Sequence, residues 1–476
     1  MIDLLSESVG GRVVSCNDQF FAEAANLLKL ADPVWREGVY TDHGKWMDGW
    51  ETRRRRESGH DWVVLALGIP GRLQRLVVDT SHFTGNYPEA FSIDACGVGS
   101  DQRVESAEWS EVIPRTRLQG DSVAEFEISD PHRVTHIRLN IYPDGGVARL
   151  RLYGEPLPEI TLVCPEEPTD LASAAVGGRI LDASDTHFSE PSNLLLPSKP
   201  AGMWDGWETR RRRGPGHDWA VVRLGLPGTV ERVTVETTHF KGNAPGSVSL
   251  EVSKDGSAWE TVIDRTPVQA DAVNPIPLEI PPLAAFVRFG IHPDGGVARL
   301  RVLGRPDAGV AMAKRIEYVN ALFEPEAAGF FHTACASSAW VRAMVGGCPY
   351  ESVSDLFRAA GEAFEAMGTE DWLEAFAGHP RIGERGDAIS AREQAGVDRA
   401  TRRLLEELAA VNREYERRFG FIYIVYATAK TAEEMLEIAK QRLGNTKEVE
   451  IANAATEQRK ITDTRLKRML CIPEGS

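Results

Sequence analysis

The sequence predicts a multidomain chain: two tandem all-β sandwiches of the jelly-roll type followed by an all-α domain. Three observations lead there. A segment of about 150 residues is duplicated, hydrophobic residues alternate with period two inside each copy, and beyond about Ala311 the period becomes helical. The duplication is anchored by Met47-Asp48-Gly49-Trp50-Glu51-Thr52-Arg53-Arg54-Arg55-Arg56 and Trp204-Asp205-Gly206-Trp207-Glu208-Thr209-Arg210-Arg211-Arg212-Arg213. Each runs on into Gly-His-Asp-Trp, ending at Trp62 and Trp219.

Asp48 and Asp205, Arg53 and Arg210, His60 and His217, and His82 and His239 are all separated by 157 positions. Upstream, Gly10-Gly11-Arg12 and Asn26-Leu27-Leu28 recur 167 positions later, so the first copy carries about ten extra residues around 35–44. A unit this long is a domain, not a solenoid repeat. The expected domains are 1–155, 172–305 and 312–472, with the proline-rich stretch 154–171 joining the copies.

Within the first copy Val63-Val64-Leu65-Ala66-Leu67 reads as a strand, Gly68-Ile69-Pro70-Gly71 as a turn, and residues 73–80 as a second strand. Ile137, Leu139 and Ile141 alternate with polar neighbours, and Asp-Gly-Gly before Leu150 and Leu152 predicts a β-hairpin. The second copy repeats the Pro-Asp-Gly-Gly segment at Pro293-Asp294-Gly295-Gly296. Antiparallel strands at this spacing indicate a sandwich. In the last third, Ile316, Val319, Leu322 and Phe323 form one helical stripe, Leu356, Ala359, Ala363 and Met367 a second, and Leu404, Leu405, Leu408 and Val411 a third. Residues 433–443 and 466–470 continue the pattern.

Composition narrows the function. The 476 residues carry 54 basic and 70 acidic side chains, a net charge of −16, which argues against nucleic acid and anionic membranes as partners despite the arginine runs. No apolar run reaches membrane-spanning length, and the opening residues lack the basic and apolar regions of a secretory signal. Six cysteines without a CxxC or zinc spacing fit reduced thiols in a cytoplasm. The duplicated domains and acidic surface point to self-association, of unspecified order.

Four consecutive arginines beside Glu, His and Asp have no evident packing use. Guanidinium groups grip carboxylates and urea-like oxygens through paired donors, so a small acidic, carbonyl-rich substrate suits the repeats. Glu51, His60 and Asp61, with Glu208, His217 and Asp218, are the general acid or base candidates. Arg53, Arg55, Arg210 and Arg212 are the substrate-binding candidates, since alternate arginines share a face. Trp50, Trp62, Trp207 and Trp219 read as core or pocket walls. His82 and His239, each before Phe-x-Gly-Asn, are equally metal ligands or turn histidines. No spacing identifies a metal.

Together these segments, with the Asn-Leu-Leu and Pro-Asp-Gly-Gly words, resemble the allantoicase family over about residues 7–305. The resemblance implies two galactose-binding-like sandwiches and hydrolysis of allantoate to ureidoglycolate and urea. A divalent ion such as manganese stays open for that reaction, as does the number of active pockets.

In the helical part the informative words are His379-Pro380-Arg381-Ile382-Gly383, Ser390-Ala391-Arg392-Glu393-Gln394, and Phe419-Gly420-Phe421-Ile422-Tyr423-Ile424-Val425-Tyr426-Ala427-Thr428. A histidine held by Pro is by itself as well explained as a cap. Beside Glu-Gln and a strand-like run with available backbone groups, it reads as part of a site. With Ser338-Ala339-Trp340-Val341 and Arg442-Leu443-Gly444-Asn445, the set resembles the decarboxylases of 2-oxo-4-hydroxy-4-carboxy-5-ureidoimidazoline (OHCU), which yield S-allantoin.

That resemblance implies His379 as proton donor, Glu393 as the group that orients or polarises, and Pro380, Ser390, Gln394 and the 423–427 backbone (Tyr423, Ile424, Val425, Tyr426, Ala427) as substrate-binding. It implies no cofactor, because the substrate's ring C=N accepts the electrons. The sequence departs from the family where Thr428 stands in place of a common arginine, with Lys430 as the expected substitute. The resulting expectation is a bifunctional enzyme of urate and ureide breakdown. The alternative is one catalytic half joined to a ureide-binding or scaffolding module.

Overall fold

The structure is a computed structural model and describes residues 2–99, 103–163, 168–379, 399–428 and 430–472, with only the backbone of 399–403 and 405. Two compact units result, Met1–Phe323 and Glu324–Ser476.

The first unit contains the two sandwiches. Each is organised on one 19-residue strand, Asp61–Asp79 in the first and Asp218–Glu236 in the second. Residues 61–66 of the first long strand lie between Arg12–Cys16 and Val134–Tyr142, whereas residues 71–79 lie between Arg149–Pro156 and Val123–Glu127. One strand thus belongs to both layers, and its inward residues Val63, Leu65, Leu76 and Val78 are fully buried. Ala90–Cys96 and Ser110–Arg117 extend the order beyond Val134–Tyr142. The second sandwich repeats this topology strand for strand.

Two local expectations are corrected. Gly68-Ile69-Pro70-Gly71 is not a turn but the middle of the long strand. Its glycines serve close approach: a Cβ on Gly68 would stand 2.5 Å from the Val9 carbonyl oxygen, and one on Gly71 2.2 Å from that of Glu155. Likewise the Pro-Asp-Gly-Gly segment does not close a hairpin. Val134–Tyr142 and Arg149–Pro156 each pair with a different half of the long strand, while Gly146–Val147 pairs with Trp50–Glu51. Period-two patterning identifies strands but not their partners, so the turn chemistry was assigned to the wrong pairing.

A helix at Ala308–Asn320 belongs to the first unit, with Arg315 buried and donating to the Val163 carbonyl at 3.1 Å and Glu317 paired to Arg72 at 2.6 Å. The boundary between units therefore falls at Phe323, later than the 312 expected from the change of period. The second unit is helical: Glu324–Ala334, Ser338–Gly346, Val353–Glu365, Thr369–Ala377, Arg399–Phe419, Ala432–Arg442 and Lys447–Met469. In Val353–Glu365 the buried stripe is Leu356, Ala360 and Phe364, one position round from the expected Ala359, Ala363 and Met367, which are half-buried. Phe364 fixes this face by stacking between Trp340 and Trp372. Residues 422–427, expected to be strand-like, run without regular secondary structure. No helix of the described residues is long and apolar enough to cross a membrane.

Candidate active sites

In each sandwich the Pro-Asp-Gly-Gly segment is a hub that gathers the duplicated words of the repeat. In the first, the Pro143 carbonyl accepts from the Asp61 amide at 3.1 Å, Asp144 Oδ2 from the Arg55 amide at 2.9 Å, and the Gly145 carbonyl from the Thr52 amide at 3.1 Å. The Gly146 amide donates to the Asn86 carbonyl at 2.7 Å. In the second, Pro293, Asp294, Gly295 and Gly296 bind Asp218, Arg212, Thr209 and Asn243 in the same way. The glycine is required here: a Cβ on Gly146 or Gly296 would stand 2.0 Å from the ring of Phe83 or Phe240.

This hub brings Glu51, Arg55, His60, Asp61 and Asn86 into one neighbourhood. Glu51 Oε1 accepts from Asn86 Nδ2 at 2.7 Å, and Glu208 Oε1 from Asn243 Nδ2 at 2.7 Å. Burial raises the Glu51 carboxyl above its ordinary range against the opposing Asn86 hydrogen bond. Asp61 and Asp218 are buried, and each is ion-paired to the arginine six residues earlier, Arg55 at 2.7 Å and Arg212. Asn17 Nδ2 also donates to Asp61 at 2.8 Å, and Ser184 Oγ to Asp218 at 3.0 Å. Arg55 Nε, Arg212 Nε and Asp61 Oδ2 are buried with no hydrogen-bond partner among the described residues.

Of the arginine runs, Arg53 and Arg210 are exposed yet tied to Asp18 at 2.6 Å and Asp185 at 2.8 Å, and Arg54, Arg56, Arg211 and Arg213 are exposed. The alternation expected for the runs is not seen: only Arg55 and Arg212 are half-buried, and Arg53 and Arg210 stand as exposed as their neighbours. His60 lies on the ring of Tyr142 with centroids 4.7 Å apart; its counterpart His217 stacks on His292 at 4.3 Å. Trp50 and Trp207 are core, each donating its indole N–H to a carbonyl, of Asp18 at 2.8 Å and Asp185 at 2.9 Å. Trp62 and Trp219 are half-buried.

His82 and His239 both sit in turns. Both have φ in the left-handed region, 71° and 73°, with the amide held by Asp121 or Asp271 at 2.8 Å. Their Nε2 atoms lie 3.2 Å and 3.1 Å from the carbonyls of Pro33 and Pro200. Among the described residues no three His, Cys, Asp or Glu side chains are grouped to hold a metal.

The ten-residue insertion of the first copy distinguishes its pocket from the second. Its hairpin, Tyr40–Thr41 with Gly44–Lys45, places His43 on Phe20 at 4.3 Å, and Phe20 in turn lies 5.3 Å from the Arg53 guanidinium. Trp35 lies 6.0 Å from His82 and carries Lys45 over its face at 3.9 Å.

In the helical unit, His379 follows the C-terminus of Thr369–Ala377, its amide bonded to the Phe376 carbonyl at 3.1 Å. Its Nε2 meets Oε1 of the buried Gln458 at 2.7 Å, and Gln458 Nε2 donates to Thr462 Oγ1 at 3.2 Å. Since the amide nitrogen is committed to Thr462, Nε2 of the imidazole carries the proton. Burial and then the charge of Arg465 push this histidine below its ordinary value, with the Gln458 hydrogen bond acting the other way. Pro380, Ser390, Glu393 and Gln394 lie outside the described residues.

Much of the 423–427 backbone is already engaged. The Tyr423 amide donates to Asn412 at 3.2 Å, the Ile424 carbonyl accepts from Arg442 at 2.9 Å, and the Tyr426 amide donates to Glu457 at 2.7 Å. The Ala427 carbonyl accepts from the Lys430 amide at 3.0 Å. Lys430 Nζ donates to the Tyr426 carbonyl at 2.7 Å. The Val425 amide and carbonyl make no such bond among the described residues. Arg442 is locked by Glu450 at 2.8 Å, a carboxylate that also receives Tyr415, Asn445 and Asn453. Sequence reasoning missed Asn86, Asn243, Gln458 and Arg465. Only the asparagines carried a signal, the repeated Gly-Asn after each His-Phe.

Comparison with known proteins agrees with this division. Residues 2–157 and 169–307 match the allantoicase repeat family, and residues 320–467 match the OHCU decarboxylase family. A probable allantoicase of Pseudomonas aeruginosa (strain UCBPP-PA14) is 45% identical over 318 residues, covering 64% of this chain and 96% of the relative. A probable allantoicase of Pseudomonas fluorescens (strain SBW25) is 42% identical over 317 residues, with the same coverage of both chains. Among solved structures, one of allantoicase aligns with TM-score 0.55 at 35% identity over 64% of this chain and 93% of its own. The crystal structure of allantoicase from Saccharomyces cerevisiae gives TM-score 0.55 at 34% identity, over 64% of this chain and 92% of its own. The chain belongs to the allantoicase family and carries, fused behind the two allantoicase repeats, an OHCU decarboxylase domain.

Proposed function

We propose that the sandwiches hydrolyse allantoate to ureidoglycolate and urea and that the helical unit decarboxylates OHCU to S-allantoin, with the following residue roles. For hydrolysis, the observations that carry the assignment are the Asn-held carboxyl of Glu51 and, bound to the same Pro-Asp-Gly-Gly segment, Arg55, whose Nε is buried and unpartnered among the described residues. An unsatisfied buried donor costs about 1–3 kcal/mol, which an incoming carboxylate or ureido oxygen relieves. Arg55 binds that oxygen, and Arg53 adds charge at the pocket mouth. Asp61 is a positioning residue, since its buried carboxylate is already committed to Arg55.

Glu51, whose carboxyl burial raises above its ordinary range, is assigned as the acid that donates a proton to the departing ureido nitrogen as the central C–N bond breaks. The oxygen of water bonds to that carbon and its surplus proton passes to His60. The second pocket has the same parts in Glu208, His217 and Arg212 but lacks the insertion, and the first is the principal centre. Among the described residues no donor set fits a resident divalent ion, and no step is assigned to one.

For decarboxylation, His379 protonates the carbon from which carbon dioxide leaves, the electrons of the broken C–C bond being held by the ring C=N. No cofactor is assigned to this step. Gln458 fixes the imidazole, and Arg465, whose charge already bears on His379, supplies the carboxylate-binding cation that Thr428 cannot. The substrate anion offsets the Arg465 charge, so His379 gains its proton as substrate binds. Glu393, Ser390 and Gln394 complete the pocket. A cytoplasmic, self-associating protein fits the reading, with Cys16, Cys96, Cys335, Cys348 and Cys471 all as free thiols.

Purified full-length protein carrying Glu51→Gln should lose urea release while retaining decarboxylation, and His379→Asn the reverse. Loss of both activities in either variant would sink the assignment of separate centres.

A further inference from the structure

The two repeats diverge at positions that face a cleft between the sandwiches. This cleft, about 1020 Å³, is lined from the first sandwich by residues such as Asp3 and Leu30 and from the second by Arg179, Phe188, Trp204 and Arg223. At the positions 157 residues earlier, Trp204 and Arg223 correspond to Met47 and Ala66, both buried. The replacements therefore turn two core-like positions into a polar and aromatic wall.

Arg179 and Arg223 are direct cross-strand partners in the antiparallel pair Arg179–Ala183 and Asp218–Glu236, so their side chains leave the same face of the sheet. In the first repeat Arg12 faces Ala66 instead. Like charges set opposite each other oppose pairing. Neither guanidinium has an ion-pair or hydrogen-bond partner among the described residues, in a chain with sixteen more acidic than basic side chains. The acids on the cleft wall do not supply one. Asp3 is held by the Leu5 and Leu152 amides at 3.1 Å, with Arg151 at 3.8 Å. Glu155 and Glu190 are exposed and make no ion pair with either arginine among the described residues. Phe188 and Trp204 are 60% and 66% exposed, which is unusual for rings of this size on a cavity wall and leaves their faces available for stacking.

We propose that this cleft is a second ligand site, separate from the hydrolytic pockets, that takes a small planar carboxylate: the anion on the Arg179 and Arg223 pair, the planar body against Trp204 or Phe188. Paired guanidiniums favour a bidentate oxyanion, and the aromatic wall selects a flat molecule over a tetrahedral one.

The test is calorimetric titration of the full-length protein with orotate, a planar heterocyclic carboxylate, and separately with inorganic phosphate. Orotate should bind the wild type more tightly than phosphate. Arg223→Ala should weaken both by about tenfold or more, while Trp204→Leu weakens orotate alone. Allantoate turnover by Arg223→Ala in the absence of orotate should be unchanged. Absence of orotate binding, equal affinity of wild type and Arg223→Ala, or phosphate binding as tight as orotate would each overturn the proposal. So would a change in sedimentation of Arg223→Ala without a change in orotate affinity, which would make the cleft an interface between copies.

Discussion

The Asn86 side-chain amide donates to the Glu51 carboxylate at 2.7 Å, 35 residues apart in sequence, and the Asn86 backbone carbonyl is pinned by the Gly146 amide. The contact recurs between Asn243 and Glu208 at 2.7 Å. It fixes one oxygen of the Glu51 carboxyl and leaves the other free of this bond. Because burial raises Glu51, its acid form persists to higher pH than that of an ordinary carboxyl, and kcat/KM for allantoate should fall as pH rises through that raised value. Glu51→Gln should lower kcat by roughly 10²–10⁴-fold and abolish this limb. Glu208→Gln should reduce kcat far less. Equal losses in the two variants, read from pH–rate profiles, would contradict the assignment of the first pocket as principal centre.

Gln458 tests as a positioning residue. Its hydrogen bond raises the His379 value, so Gln458→Leu should shift the titration of His379 further down and move the alkaline fall of kcat/KM for decarboxylation to lower pH. The change should appear in kcat with little in KM, and Gln458→Glu should restore part of it. An unshifted profile would leave Gln458 a packing residue only.

Arg465 should act on binding. Arg465→Ala should raise KM for OHCU by about tenfold or more and, by removing a neighbouring positive charge, move the His379 titration upward. Lys430→Ala, which removes a cation that donates to the Tyr426 carbonyl, should leave KM near wild type. The opposite ranking of the two variants would restore Lys430 as the substitute cation.

Behind each hydrolytic pocket lies a buried ion pair, Asp48 with Arg149 at 2.8 Å and Asp205 with Arg299 at 2.7 Å. Removing one partner strands a buried charge, and Asp48→Ala should destabilise the first sandwich by about 3–5 kcal/mol. Thermal unfolding should show the shift, with the helical unit's decarboxylation retained below the transition.

The duplication, the sandwiches and the helical third were legible because they rest on periodicity and on exact repetition of polar words. Pairing was not. The Gly-Ile-Pro-Gly segment carries every local mark of a turn, yet its glycines admit the Val9 and Glu155 backbones against a continuous strand. Glu51, His60, Arg55 and Asp61 could be picked out because they are contiguous and duplicated. The commitment of Asp61 to Arg55 could not be read from residue type. Gln458 and Arg465 come from a helix some eighty residues beyond His379 and resemble ordinary helix-surface residues in sequence. Only burial and proximity mark them. The left-handed backbone of His82 and His239 is likewise a matter of conformation, which sequence does not print.

The most direct measurement is urea release from allantoate by the purified full-length protein, with and without chelator. The account predicts urea at a rate that chelator does not reduce, and its loss on Glu51→Gln. No urea from the wild type with or without added divalent ion would contradict it and make the sandwiches a ureide-binding module attached to a decarboxylase.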